Sequence, residues 1–174
     1  MGRTYGGEDC GDIDEINVLP PSPYSYIMTL DEIKKLIAQG ETRTLELKKS
    51  TGELKDGMHS ACAFLNTDGG WLLFGIAPKS LKIVGQQVSD STRQEIANAL
   101  MGLEPAIDVM VEYVDVPEAK NGEQVIAMHF DGYVWGDVPY TYHGCPYHKV
   151  EGAFGDSGGG FARSAYECPL PPPV

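Results

Sequence analysis

Basic residues are scarce in this chain, which has 13 lysines and arginines against 25 aspartates and glutamates in 174 residues. The net charge of −12 argues against an ordinary nucleic-acid-binding domain, because such domains are usually basic. The chain also lacks any apolar run approaching the ~20 residues of a membrane span, so no membrane contact is expected. Its first residues contain no apolar signal core, and we therefore expect a cytoplasmic protein.

Cysteine and nucleotide-binding motifs are similarly sparse. None of the four cysteines belongs to a Cys-x-x-Cys pair, which argues against a disulfide scaffold. No phosphate-binding loop of the form G-x4-G-K-S/T is present, so we expect no ATPase. His143, Cys145 and His148 carry metal-capable atoms, but no fourth ligand is evident and we interpret them as structural polar residues. No metal or other cofactor is therefore expected.

The charges that are present are distributed unevenly. Residues 34–55 contain six bases and three acids, whereas residues 104–137 contain eight acids and one base. The basic segment could attract a polyanion even though the whole chain repels it at long range. A solubilising surface of scattered charges is the alternative explanation.

Composition divides the chain into three parts. Residues 1–28 contain five acids and three prolines and are predicted to form an acidic arm without a core of its own. Residues 29–151 carry the helix and strand patterns of one domain. Residues 152–174 are rich in glycine and proline and are predicted to form a flexible tail.

Hydrophobic periodicity predicts helices and strands in the central part. A capping box of Thr29 and Glu32 begins the first helix, which Gly40 ends, and two further helices are predicted over about 53–65 and 91–103. Strands are predicted over 42–48, 71–76, 81–84, 107–116 and 124–130. A final hairpin is predicted to join strands at 140–142 and 147–150 through His143 and Gly144.

Four motifs, taken in order, resemble the Schlafen AlbA_2 domain family. Glu41–Lys48 resembles the family's E-x4-E-F/L-K strand, and Ala63–Ile76 resembles its A-F-x-N-T-x-G-G-x-L/I/V-x-x-G-V/I signature. The signature residues that we single out as structural are Asn66, Gly69, Gly70 and Gly75. Leu81–Gly85 and Pro146–Glu151 resemble two later strands of the family. The resemblance covers about residues 30–151.

The resemblance implies an α/β (α+β) fold, with a mixed, largely antiparallel sheet flanked by about three helices. It also implies the N-terminal module of a bacterial transcriptional regulator, of a type described as DNA-binding and formerly called divergent AAA-4. Related domains of animal Schlafens act on RNA, and some cut tRNA with three acidic metal ligands.

The resemblance places two of those acids at Glu41 and Glu46. The third falls at Ala77 or Pro78, neither of which can bind a metal, and divalent ions require several oxygen ligands. Asp68 could substitute only from the other end of the strand. A metal-dependent nuclease that uses Glu41 and Glu46 therefore remains an alternative, and a non-catalytic domain is preferred.

The preferred function is a regulatory domain that binds DNA or RNA without catalysis. Basic side chains neutralise phosphates, and the candidates are Arg43, Lys48, Lys49 and Lys55. Aromatic side chains stack on unpaired bases, and the candidates are Trp71, Tyr140, Tyr142 and Tyr147. A homo-oligomer is expected, with a dimer favoured because it could align two basic strips.

The third alternative is an oligomerisation or protein-interaction module that retains the fold and has lost ligand binding. This alternative is favoured if Lys48 and Lys49 form ion pairs with Glu41, Glu46 or Glu53 instead of facing solvent.

Overall fold

The computed structural model of the protein describes residues 27–132 and 139–148. The predicted tail, and the predicted arm up to residue 26, lie outside these ranges, so the three-part division of the chain remains a prediction. Within the described ranges, no helix combines the length and the apolar character needed to cross a membrane.

The described residues form three α-helices and nine short strands. The helices are α1 (Leu30–Ile37), α2 (Leu54–Leu65) and α3 (Asp90–Leu100), and a 3-10 turn over Thr51–Glu53 leads into α2. The strands are β1 (Leu45–Lys48), β2 (Gly69–Phe74), β3 (Ile76–Ala77), β4 (Lys82–Ile83), β5 (Leu103–Glu104), β6 (Val111–Asp115), β7 (Gln124–Asp131), β8 (Thr141–Tyr142) and β9 (Cys145–Pro146).

The main sheet has four strands in the order β1-β2-β7-β6. β1 runs parallel to β2, whereas the pairs β2-β7 and β7-β6 are antiparallel. Two smaller antiparallel sheets, β3-β4 and β5-β8-β9, complete the described fold. The predicted mixed, largely antiparallel sheet with three helices is thereby confirmed.

Helices cover both faces of the main sheet. Alternate residues of a strand point to opposite faces. On one face, Leu72 and Phe74 of β2 pack in a core cluster with α2 residues such as Phe64. On the other face, Leu73 of β2 packs with Ile33 of α1. Because β2 and β7 are covered on both sides, their sequences read as nearly continuous apolar runs.

The local signals at α1 are confirmed. The Thr29 hydroxyl accepts a hydrogen bond from the Glu32 amide, and the Glu32 carboxylate accepts one from the Thr29 amide at 2.8 Å. This reciprocal arrangement satisfies two donors that a helix N-terminus otherwise leaves unpaired.

The strand predicted over 71–76 is longer at its start and is interrupted near its end. It begins at Gly69, and Gly75 separates β2 from β3. Gly75 has φ +96°, a conformation that favours glycine, and its carbonyl accepts hydrogen bonds from the amides of Val84 and Gly85. At Gly70, a Cβ atom would lie only 2.7 Å from the Thr44 carbonyl oxygen. Both signature glycines therefore allow close backbone approaches.

The last hairpin is tighter than predicted. Tyr142 pairs directly with Cys145, so the return strand is β9 and not the segment 147–150, whose last two residues lie outside the described ranges. His143 and Gly144 both have positive φ, at 49° and 77°. Two consecutive residues with positive φ form a two-residue turn whose twist matches that of the flanking strands. The strands therefore pair directly on either side of the turn.

Candidate nucleic-acid interface

The first strand, β1, carries two of the residues singled out in the sequence, Glu46 and Lys48. Among the described strands it lies at one edge of the main sheet and pairs only with β2. All four of its residues are buried. Leu45 and Leu47 pack in the cluster on the α1 side, and alternation places Glu46 and Lys48 on the α2 side. Asp56, in the first turn of α2, contacts Lys48 on this side.

Lys48 is the centre of a buried ion cluster. Its Nζ lies 2.9 Å from Oε1 of Glu46 and 2.5 Å from Oδ2 of Asp56 in α2. The Lys48 and Glu46 side chains are each only 9% exposed. Burial disfavours the ammonium ion, but hydrogen bonds and attraction to Asp56 and Glu46 outweigh it and hold the pKa of Lys48 above its ordinary value. Lys48 is therefore a charged structural residue, which changes its predicted role as a surface contact.

The other three predicted nucleic-acid-binding residues are exposed. Arg43 precedes β1, and its Nε lies 3.0 Å from Oδ2 of Asp68. Lys49 follows β1 directly, and its backbone amide donates to Glu53. Lys55 is the second residue of α2. Within the described ranges, the ammonium groups of Lys49 and Lys55 have no ion-pair partner.

The acids expected for a metal site do not converge. Oε1 of Glu41 accepts a hydrogen bond from the Leu47 amide at 3.1 Å, and the carboxylate of Glu46 is held by Lys48. Asp68 pairs with Arg43. No group of three or more potential metal ligands occurs among residues 27–132 and 139–148. The residues present therefore do not fit the three-acid site of the nuclease alternative.

A shallow groove of about 390 Å³ opens on the α1 side of the sheet, near the start of β1. Trp71 of β2 and His129 of β7 are register partners, and their ring centroids lie 4.7 Å apart. Leu36, in the last turn of α1, and Gln39, just beyond the helix, contribute to the wall of the groove. Of the predicted stacking residues, Trp71 is thus the one that lines this groove.

The family model of Schlafen, AlbA_2 matches residues 41–153. The chain belongs to the Schlafen AlbA_2 family. No curated protein matches it. Among solved structures, this AlbA_2 chain resembles the N-terminal domain of an ATP-dependent DNA helicase RecG-related protein from Nitrosomonas europaea. The TM-score is 0.51 at 18% identity, over 84% of this chain and 97% of that domain.

A second solved structure that this AlbA_2 chain matches is the DIP2311 protein from Corynebacterium diphtheriae. The TM-score is 0.42 at 20% identity, and the match covers 69% of this chain and 24% of that one. The first structural likeness supports the AlbA_2 fold that the strand order and helix placement already show.

The asparagine of the AlbA_2 signature, Asn66, links α2 to the segment 139–148. Its Nδ2 donates to the backbone oxygens of Tyr140 at 2.9 Å and Tyr147 at 3.0 Å, and its Oδ1 accepts from the Tyr140 amide at 2.8 Å. A single side chain therefore connects the end of a helix to two points of a distant segment.

The tyrosines predicted to stack on bases have other roles in the AlbA_2 domain. Tyr142 is buried in the core on the α2 side. The ring of Tyr147 stacks on His59 of α2, with centroids 4.3 Å apart and planes 11° apart. Burial lowers the pKa of His59, although the nearby carboxylate of Asp56 opposes this shift. Tyr140 packs against the core on the α2 side.

Sequence reasoning missed Asp56 and His59. They lie three residues apart on α2, a spacing that places both on one helix face. That spacing was visible in the sequence. The partners of this face were not, because they depend on how α2 packs against Lys48 of β1 and against Tyr147.

Proposed function

We propose that this AlbA_2 chain is a non-catalytic nucleic-acid-binding module that contacts phosphates through the β1 edge of its sheet. The observation that carries the proposal is the placement of three exposed cations, Arg43, Lys49 and Lys55, around one edge strand. Lysine and arginine at such an edge neutralise phosphates and release counterions. A regulatory role, a cytoplasmic location and a homodimer that aligns two such edges belong to the same proposal.

The acids of the opposite sheet edge do not oppose this interface, despite the net charge. β6, which carries Glu112 and Asp115, forms the opposite edge of the sheet. Three strand spacings separate the two edges, a distance of about 14 Å. The Debye length is only about 8 Å at physiological ionic strength. The acidic edge is therefore largely screened from a polyanion bound at β1.

The proposal predicts that Lys49→Ala/Lys55→Ala weakens binding and makes it less sensitive to salt. Each lysine that contacts a phosphate contributes about one unit to the slope of log K against log salt, so the slope should fall by about 2. The measurement is fluorescence anisotropy with labelled single-stranded DNA, duplex DNA and tRNA over a salt series. The three probes also identify the preferred nucleic acid.

The control is Lys82→Ala/Lys120→Ala, which removes the same charge from exposed lysines on β4 and on the turn between β6 and β7. It should leave the slope unchanged. Equal losses in both double variants would indicate non-specific attraction and contradict an interface at β1. Failure of the parent chain to bind any probe at low salt would overturn the proposed function.

One observation favours the protein-interaction alternative. Lys48, the lysine within β1 itself, is held by Glu46 instead of facing solvent. If none of the three nucleic-acid probes binds, a protein-interaction module becomes the better interpretation. Cleavage products that require Mn²⁺ and disappear in Glu46→Gln would instead favour the nuclease alternative.

A further inference from the structure

The groove lies where α1 stops covering the sheet. Leu73 of β2 and Ala127 of β7 are register partners packed in the cluster beneath α1. Two residues away on the same face, Trp71 and His129 are also register partners. Here the helix has ended, and its last residues form only one wall of the groove. Trp71 is half-buried, so part of its indole ring faces the open space.

Polar groups surround this aromatic floor. The hydroxyl oxygens of Thr42 and Thr44 lie 3.5 Å apart at one side, and both residues are exposed. Asp68 lines the groove and holds Arg43 through the Nε atom. Because arginine has five N–H donors, this contact through Nε leaves the outer nitrogens of the guanidinium to donate to a ligand. The groove therefore combines a stacking surface and hydroxyl groups with a neighbouring cation, Arg43, which pairs with the lining residue Asp68.

We propose that this groove binds one unpaired base of a single-stranded nucleic acid, stacked on the indole of Trp71. The inference rests on the proposed function and deepens it, because Arg43 at the β1 edge pairs with Asp68, which lines the groove. Four-stranded sheets that expose aromatic side chains bind unpaired bases in this way. The volume of about 390 Å³ lies near the lower end of the range for ligand sites, which fits a single base.

The position of Arg43 favours a nucleotide within a strand over a free aromatic molecule. Its guanidinium can donate to a phosphate while the attached base lies against Trp71. The next phosphates of the strand can then follow the edge towards Lys49. The same path would not admit the stacked bases of an intact duplex, because stacking on Trp71 requires an exposed base face.

The test uses the full chain with Trp135→Phe, in which Trp71 is the remaining tryptophan. A short oligothymidylate is titrated while the tryptophan fluorescence is recorded, and an abasic oligomer of the same length supplies the phosphates without bases. We expect saturable quenching by the oligothymidylate and none by the abasic oligomer. Trp71→Leu, whose binding is followed by the anisotropy of a labelled oligothymidylate because no tryptophan remains, should weaken binding by about tenfold, the size expected for loss of one stacked base.

Two further readouts separate stacking from folding and from phosphate binding. Trp71→Phe should restore most of the affinity lost in Trp71→Leu, because phenylalanine keeps an aromatic face. Trp71→Leu should leave the salt slope unchanged, whereas Lys49→Ala/Lys55→Ala lowers it.

Equal affinity for the two oligomers, with no quenching, would overturn the base site and leave phosphate binding at β1 intact. Absence of any binding would overturn both proposals.

Discussion

Replacing Lys48 with methionine is expected to lower the free energy of unfolding by about 3–5 kcal/mol, the usual cost of removing one partner from a buried ion pair. The Glu46 carboxylate, with its side chain 9% exposed, would remain between β1 and α2 without its cation. Leaving the Asp56 carboxylate without the cation would cost less, because its side chain is 59% exposed and water can hydrate it. The measurement is urea unfolding. The slope of the unfolding free energy against urea concentration is compared between variants to confirm that the unfolded state is unchanged.

A double replacement distinguishes the ion pair from the packing of the lysine stem. Glu46→Leu/Lys48→Met removes both charges and fills similar space, and such replacements are often neutral or stabilising. We therefore expect the double variant to be more stable than Lys48→Met alone, with an interaction energy above about 1 kcal/mol in the double-mutant cycle. A loss of less than about 1 kcal/mol in Lys48→Met would contradict the buried pair.

The pH dependence of this effect follows from the pKa of Lys48. The pKa is raised in the folded chain, so the stabilisation is fully present below the ordinary value of 10.5 and is lost only as the pH rises through the higher folded value. The cost of Lys48→Met should thus be the same at neutral and mildly alkaline pH. Nucleic-acid binding by Lys48→Met, measured under conditions in which the variant is folded, should depend on salt as steeply as binding by the parent chain. The reason is that Lys48 makes no phosphate contact in the proposed interface.

Local features of the fold could be predicted from the sequence. The capping box at Thr29 and the apolar spacing of the next residues identified α1, and α2 begins within one residue of the prediction. These signals depend on neighbours in the chain, so no knowledge of tertiary structure is needed. The signature around Asn66 identified the family because its motifs occur in order.

Features that depend on packing between distant segments could not be predicted. The alternation of Leu45 and Leu47 with polar residues is typical of a strand with one solvated face. In the structure, that face is buried as well, and the first turn of α2 brings Asp56 to Lys48. Similarly, Trp71 lies within an apolar run typical of a core strand, and only the end point of α1 leaves it beside a groove.

Asn66→Ala is expected to lower the free energy of unfolding by about 2–4 kcal/mol, because it removes three hydrogen bonds to backbone atoms, worth about 0.5–1.5 kcal/mol each. These bonds connect α2 with Tyr140 and Tyr147, more than seventy residues away in the chain. The segment 139–148 contributes Tyr142 to the core and Tyr147 to the stack on His59. Its loosening should therefore appear first as faster hydrogen exchange at the Tyr140 amide, the donor to Asn66.

The matched control is Asn98→Ala on α3, where the side chain accepts one exposed hydrogen bond from Gln94. It should change stability by less than about 0.5 kcal/mol, as is usual at exposed positions. Asn66→Asp tests the donor role of the side chain apart from its acceptor role. The aspartate keeps an oxygen that can accept from the Tyr140 amide, but it places a carboxylate oxygen against the two backbone oxygens to which Nδ2 donates. It should destabilise the domain at least as much as alanine. Equal and small effects of Asn66→Ala and Asn98→Ala, with unchanged exchange at Tyr140, would show that Asn66 does not hold this segment.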